Sequence, residues 1–138
     1  MIRAFLPHDF DEIVKLIHDC GLGHPPNSPE HDFERILSAP GSCTFVYEHN
    51  GTVKGSVVSA NDGRRGWIYY LAVSPEIRGQ GVGEALIRHA ENWLMAQGAP
   101  KVLLLVRDTN LGIMDYYRRL GFTEEPCTCM GRWLNTPA

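Results

Sequence analysis

The sequence has little excess charge, no long apolar run and no clear leader segment. The formal net charge is −3, so the chain lacks the basic surplus that a nucleic-acid-binding face requires. No apolar run approaches the roughly 18 residues needed to cross a bilayer. The N-terminal residues also lack the apolar core of a signal peptide. We therefore expect a cytoplasmic protein with neither a nucleic-acid partner nor a membrane partner.

The four cysteines are too few and too irregularly spaced for a zinc site. Cys127 and Cys129 are separated by one residue instead of two, and no second pair of ligands lies nearby in the sequence. Thiols of a cytosolic chain are mostly reduced, and Cys20 and Cys43 have the apolar neighbours typical of small buried side chains. The sequence therefore predicts no metal ligand and no cysteine nucleophile.

Length and composition are those of one globular unit. The chain has 138 residues, of which 43% are hydrophobic and 21% charged, and a chain of this size buries most of its apolar surface in a single core. No internal repeat or low-complexity segment interrupts the sequence. It therefore predicts a single domain over residues 1–138.

The chemical signal is concentrated between residues 67 and 94, where a predicted strand runs through a glycine-rich turn into a predicted amphipathic helix. The turn reads RGQGVG over residues 78–83. Glycines reach positive φ and let the backbone approach a ligand closely. The N–H groups of the helix's first turn attract an anion such as a phosphate. The turn therefore predicts an anion site, and a tight turn without a ligand is the alternative.

The hydrophobic pattern predicts an α/β fold. Asn50-Gly51 is a hairpin signal between two strands, and Asp9 with Glu12 resembles a helix capping box. A strand, a crossover helix and another strand imply a parallel pair around the glycine-rich turn, after antiparallel N-terminal strands. The predicted strands are 2–5, 43–49, 52–60, 67–73 and 101–106, with one or two more between 122 and 134, and about four helices begin near residues 10, 29, 82 and 111.

Two nucleotide-binding motifs fail on the residues that they require. The phosphate loop of nucleoside triphosphatases needs G-x-x-x-x-G-K-[ST], and residues 79–84 supply neither the Lys nor the hydroxyl. The dinucleotide fingerprint G-x-G-x-x-G has Glu84 at its last position, or Leu86 if it begins at Gly81. Neither a nucleotide hydrolase nor a dinucleotide-dependent enzyme is therefore predicted.

The turn does match Arg-x-x-Gly-x-Gly after a strand reading Tyr-Leu-Ala-Val. This resembles the coenzyme A signature of the GNAT superfamily of N-acetyltransferases. Downstream, Asn110 and the segment DYYRRLGF, residues 115–122, resemble the closing motif of that superfamily, a Tyr four residues before Gly-Phe. The matching segments span residues 67–122 in the superfamily order. The run WIYYLAVSPEIRGQGVG looks particularly like the small YpeA-like bacterial members.

The resemblance implies a GNAT-like sheet, acetyl-coenzyme A as the acyl donor and a primary amine as the acceptor. Backbone N–H groups of the turn would hold the pyrophosphate, and the strand before it would hold the thioester carbonyl, which requires a donor where negative charge develops. Asn110 would bind the pantetheine arm, which would lie between two splayed strands. The implied cofactor-binding residues are Leu71, Ala72, Val73, Arg78, Gly79, Gln80, Gly81, Val82, Gly83, Glu84 and Asn110.

A departing thiolate requires a proton, which a phenol with a pKa near 10 can supply in a desolvated site. The resemblance points to Tyr117 as this general acid, and the alternative is that it only packs its helix, as expected for Tyr116. The attacking amine must be neutral, but the strand WIYYLAV carries no carboxylate that would act as a base. We predict no base; the candidates by default are His24, Glu30, His31, Asp32 and Tyr70.

The acceptor is less defined by the sequence. The resemblance places the acceptor groove in residues 1–40, which hold seven acidic and three basic residues. This surplus modestly favours a cationic amine, although it also suits a solvated face. A small amine, an amino acid, a peptide N-terminus and a lysine side chain all remain open, as does a homodimer. A non-catalytic acyl-coenzyme A sensor or partner module is the alternative function.

Overall fold

The computed structural model describes residues 1–23 and 28–135, apart from the side chains of residues 108 and 109. The chain forms two units, Met1–Leu104 and Leu105–Ala138. In the first unit a five-stranded mixed sheet has the order β1-β2-β3-β4-β5. Its strands are β1 (Ile2–Ala4), β2 (Ser42–His49), β3 (Thr52–Asn61), β4 (Gly66–Val73) and β5 (Val102–Leu103).

The pairing of the strands confirms the predicted fold class. β1 to β4 pair with their sequence neighbours in antiparallel fashion, and β4 pairs with β5 in parallel. The parallel pair requires the crossover helix that the sequence predicted. The α-helices are α1 (Phe10–Asp19), α2 (Pro29–Ser38), α3 (Val82–Ala96) and, in the second unit, α4 (Met114–Arg119).

The two faces of the sheet carry different helices. α1 and α2 cover one face, where aliphatic side chains cluster around the fully buried Ile17 and Phe33. α3 covers the other face, where Leu86 touches the backbone at Gly55 and Leu94 touches it at Gly66. A Cβ at Gly66 would lie 2.8 Å from Leu94, so a glycine lets the helix approach β4. This close packing fixes the helix that follows the glycine-rich turn.

Local turn chemistry behaves as the sequence predicts at two places. Asn50 and Gly51 have φ values of 51° and 76°, the left-handed conformations that a two-residue hairpin requires. Ser28 caps α2 through its side-chain oxygen, with Pro29 in the first turn. These short-range signals depend on neighbouring residues alone, and the fold leaves them unchanged.

The predicted capping box at Asp9 and Glu12 is wrong. The Asp9 carboxylate instead accepts two hydrogen bonds from the Arg3 guanidinium, at 2.7 and 2.9 Å, and one from the Leu6 N–H at 2.8 Å. The Glu12 carboxylate accepts the Val53 N–H at 2.7 Å. Both carboxylates thus bind donors outside α1, which the capping-box motif does not reveal.

The strands predicted after α3 are mostly wrong. β5 has two residues instead of the expected six, and Leu105 just beyond it is 60% exposed. Between residues 122 and 135 the structure contains no strand. A strand requires a partner edge, and within this segment Glu124, Glu125 and Pro126 interrupt the apolar pattern.

Within the described ranges, no helix is long and apolar enough to cross a membrane.

Candidate functional site

The C-terminal half of β4 has one edge that no strand of the described chain covers. β4 pairs with β5 only at Gly66 and Trp67, so residues 68–73 continue without a partner in β5. On its other edge β4 remains paired with β3 as far as Val73. The open edge therefore leads directly into the glycine-rich turn.

Val73 presents its polar backbone groups on that open edge. The Ser74 N–H donates to the Lys54 carbonyl on the β3 side at 2.8 Å. Because a trans peptide is planar, the Val73 carbonyl points the opposite way, away from β3. Ala72 pairs with Ser56, so strand alternation directs the Val73 N–H to the open edge as well. The resemblance places the thioester donor near Ala72 and Val73, and of these two the geometry favours Val73.

The Val73 carbonyl is already bound by two side chains. Arg78 donates from Nε at 3.0 Å, and the Cys20 thiol donates at 3.5 Å. The Arg78 Nη2 atom also lies 3.7 Å from the Cys20 Sγ atom. The Arg78 side chain thus ties the turn to the end of β4 and to the end of α1. No sequence motif pointed to this contact of Cys20.

The two inner glycines of the turn are required by their backbone conformation. Gly79 and Gly81 have φ values of 79° and 80°, and no atom lies within 4 Å of a Cβ built on either. A side chain would have space at both positions, so glycine is required there because of the left-handed backbone conformation. Together with Gln80, both glycines are exposed, so their backbone faces solvent and any ligand that binds there.

The N-terminus of α3 has the donors that an anion needs. Gly81 is the N-cap and offers no side-chain cap, and the first helical bond runs from the Ala85 N–H to the Gly81 carbonyl at 3.1 Å. The N–H groups of residues 82–84 therefore have no intrahelical acceptor. The Glu84 carboxylate lies 3.4 Å from Arg88, which offsets its charge. This donor set fits the pyrophosphate of coenzyme A.

A β-bulge with a strained residue lies just before this site. Tyr70 has a φ of 49°, a conformation that costs a non-glycine residue about 1–3 kcal/mol. Three contacts hold Tyr70 in place. Its carbonyl accepts the Ser56 hydroxyl at 2.9 Å, its phenol donates to Asp32 at 2.6 Å, and its ring packs on Phe33 with centroids 4.9 Å apart. No motif in the sequence pointed to the role of Ser56.

The second unit holds the other two predicted site residues. Tyr117 in α4 packs its ring against Tyr116 and Phe122, with ring centroids 5.4 and 5.8 Å apart. Burial, with a smaller contribution from Tyr116, raises the pKa of Tyr117 to about 12, so its phenol keeps its proton at neutral pH. Asn110 is exposed and has φ and ψ of −129° and 44° inside a 3₁₀ segment.

The candidate bases differ in their surroundings. His24 lies outside the described residues. A hydrogen bond from His18 lowers the pKa of Glu30 to about 2, with help from its own backbone N–H and Ser28. His31 is exposed, 3.8 Å from Glu34, and Asp32 and Tyr70 bind each other.

Across residues 1–23 and 28–135, no three His, Cys, Asp or Glu side chains are grouped to hold a metal ion.

Sequence comparisons identify close relatives of this chain. A profile of the acetyltransferase (GNAT) family matches residues 10–122. An acetyltransferase of Pectobacterium atrosepticum is 40% identical over 133 residues, which are 96% of this chain and 94% of that protein. An uncharacterized N-acetyltransferase of Yersinia pestis has the same identity and coverage.

Solved structures share the fold. The aminoglycoside N-acetyltransferase AAC(6')-Iy in complex with CoA gives a TM-score of 0.81 at 20% identity, covering 98% of this chain and 95% of that one. The ribosomal-protein-S18-alanine N-acetyltransferase of Escherichia coli gives 0.76 at 22% identity, covering 91% and 78% of the two chains. At these identities the likeness concerns the fold alone.

Proposed function

Because this chain belongs to the GNAT family of acetyltransferases, we propose that it moves an acetyl group from acetyl-CoA to a primary amine by direct attack. Its dependence on acetyl-CoA follows from the family. The observation that carries the proposal is the open edge of β4, which continues into the exposed turn at residues 78–81 and the start of α3. There the N–H groups of residues 82–84 have no intrahelical acceptor. Acetyl-CoA, when bound, supplies a thioester that the amine attacks and a thiol that leaves.

The backbone from Arg78 to Glu84 holds the pyrophosphate in this proposal. The N–H groups of residues 82–84 lack helical acceptors, and the helix dipole places partial positive charge behind them. The glycines keep that backbone free of side chains. The contribution of this segment is binding and orientation, because a loop that fixes the donor holds its thioester at one place on β4.

Val73 donates its N–H to the thioester carbonyl, where negative charge grows during attack. A fixed backbone donor costs little reorganisation in the transition state. The contacts of Arg78 and Cys20 with the Val73 carbonyl restrain this peptide. Asn110 binds the pantetheine arm, and Tyr117 delivers a proton to the leaving sulfur, a role for which its phenol is protonated at neutral pH.

The acceptor in this proposal is a small-molecule or peptide amine. Two proteins of the same fold act on different amines, since one is an aminoglycoside N-acetyltransferase and the other a ribosomal-protein alanine N-acetyltransferase. The acidic surplus of residues 1–40 supports a cationic acceptor. One N-acetyltransferase domain over residues 1–138, a cytoplasmic location and a homodimer stay predictions.

Thermal unfolding with acetyl-CoA, CoA, ATP and NAD tests the cofactor site. A ligand at 100 times its Kd stabilises a native protein by about 2.7 kcal/mol, which raises the Tm of a domain of this size by about 5 °C. We expect this rise with the two coenzyme A compounds only, and loss of it in Gly81→Glu. Gly98→Glu is the matched control, because Gly98 has a φ of 86° at the other end of α3.

The outcomes separate the two candidate functions. A retained shift in Gly81→Glu contradicts the pyrophosphate assignment. A shift with acetyl-CoA, together with slow hydrolysis that no amine in a broad panel accelerates, supports the acyl-coenzyme A sensor instead of the enzyme. Release of the free thiol that at least one amine accelerates above the rate of hydrolysis, together with formation of the acetylated amine, supports the enzyme.

A further inference from the structure

The bulge in β4 changes the direction of one aromatic side chain. Tyr69 pairs with Val58, which belongs to the cluster under α1 and α2, so Tyr69 lies on that face of the sheet. The next residue of a regular strand points to the opposite face. Tyr70 instead packs against the same cluster, because the extra residue and the positive φ turn it there.

This rearrangement places an aromatic row and one carboxylate on the same face. Trp67 and Tyr69 stack with centroids 6.3 Å apart, Tyr69 is 41% exposed, and Tyr70 follows them with its phenol on Asp32. Strained residues and bulges concentrate at functional sites. The strain at Tyr70 therefore brings its phenol to Asp32 on the face that α2 covers.

Asp32 already binds a cationic donor in this structure. Its Oδ1 atom accepts a hydrogen bond from the Arg35 Nη2 atom at 2.7 Å, while its Oδ2 atom accepts one from the Tyr70 phenol. The Arg35 side chain is 72% exposed and Asp32 is 21% exposed. An exposed ion pair within one helix is weak, so a cation of a ligand can take the place of Arg35 on an oxygen that is already oriented.

We infer that Asp32 binds a cationic group that the acceptor carries in addition to its reacting amine, with the ring of Tyr70 against its stem. The inference rests on the proposed acetyl transfer at Val73. Because the bulge shortens β4, Tyr70 lies less than about 10 Å from Val73 along the strand, which is a span that a diamine or a basic peptide bridges. Aromatic faces add to the attraction of a cation. Tyr70 is a positioning residue, because it orients the Asp32 carboxylate.

The test compares diamines with monoamines of equal chain length, such as diaminobutane with butylamine and diaminohexane with hexylamine. The reacting group is the same in each pair, so the ratio of kcat/KM values, halved because the diamine has two equivalent amines, measures the effect of the second cation. We expect the wild type to prefer the diamine by about tenfold, the effect of one hydrogen bond to a charged group. Asp32→Asn should remove this preference through KM, and Glu34→Gln, an exposed change in the same helix, should keep it.

Arg35→Gln should change the preference for the diamine in the opposite direction. Removing the internal cation leaves Asp32 to the acceptor, so the preference for the diamine should increase. Acetyl-CoA should still raise the Tm of every variant, which shows that the fold and the donor site are intact. Equal preferences in Asp32→Asn and the wild type, or no wild-type preference, overturn the inference and leave the acetyltransferase proposal standing. Absence of transfer to any amine overturns both.

Discussion

The two units of the chain differ most in how much of their surface is buried. Among the described residues of Met1–Leu104, seventeen apolar side chains are buried, and Ile17 and Leu86 are among those with 0% exposure. From residue 105 to 135 no described side chain is buried to this extent. The large apolar side chains that the second unit exposes are Leu105, Leu111, Met130, Trp133 and Leu134.

Because the two units differ in burial, they contribute differently to stability and to catalysis. The first unit combines the stable sheet with the backbone donors proposed to hold acetyl-CoA. The second unit carries Asn110 and Tyr117, and the end of α4 is maintained by local contacts such as the hydrogen bond from the Phe122 N–H to the Tyr117 carbonyl at 3.0 Å. Changes in the buried core of the first unit should therefore affect mainly folding, and a change at Tyr117 in the second should affect mainly turnover.

The largest effect is expected on turnover in the second unit. Tyr117→Phe removes the proton donor and should lower kcat about a hundredfold, the lower range for general acid catalysis, with little change in Tm. The measurement is steady-state acetylation followed by thermal unfolding of the same sample. Tyr116→Phe, the neighbouring ring, should retain wild-type kcat. Unchanged turnover in Tyr117→Phe would show that this ring only packs.

The next effect concerns the core of the first unit. Ile17→Ala should lower the free energy of unfolding by about 2–5 kcal/mol, because it leaves a cavity in a fully packed site. Leu111→Ala, at a side chain that is 59% exposed, should change it by less than about 0.5 kcal/mol. Urea denaturation measures both. Similar losses in the two variants would remove the distinction between the units.

The third effect concerns ion pairs and pH. Arg3 lowers the pKa of Asp9, mainly through its hydrogen bonds to a carboxylate that is nearly fully buried. A lowered folded pKa gives stability above the unfolded value, near 3.9, and this stability is lost as the pH falls through the folded pKa. Unfolding free energy should therefore fall from pH 5 to pH 2.

Two matched variants isolate this ion pair. Asp9→Asn should cost about 3 kcal/mol at pH 7, because it leaves a largely buried guanidinium short of a partner, and should flatten the fall in acid. Asp115→Asn breaks an exposed pair with Arg118 in α4 and should change stability by less than about 0.5 kcal/mol. An equally steep acid transition in Asp9→Asn would assign the effect to other carboxylates.

The sequence determined those features that depend on short stretches of chain. The hairpin at Asn50-Gly51, the cap of α2 at Ser28 and the left-handed glycines of the turn all follow from local backbone preferences. The apolar periodicity and the order of elements were enough to predict a mixed sheet with one parallel pair of strands. The motif around Arg78, with the closing motif, led to the family.

Only the tertiary structure decided which distant groups meet. Asp9 and Glu12, expected to cap a helix, bind Arg3 and the Val53 N–H instead, because the fold brings these donors, which are 6 and 41 residues away in sequence, to the two carboxylates. A strand register that skips one residue turns Tyr70 toward Asp32, and no local pattern encodes that slip. The strands expected between residues 122 and 134 did not form, because a strand depends on a pairing edge that the sequence of the strand itself does not specify.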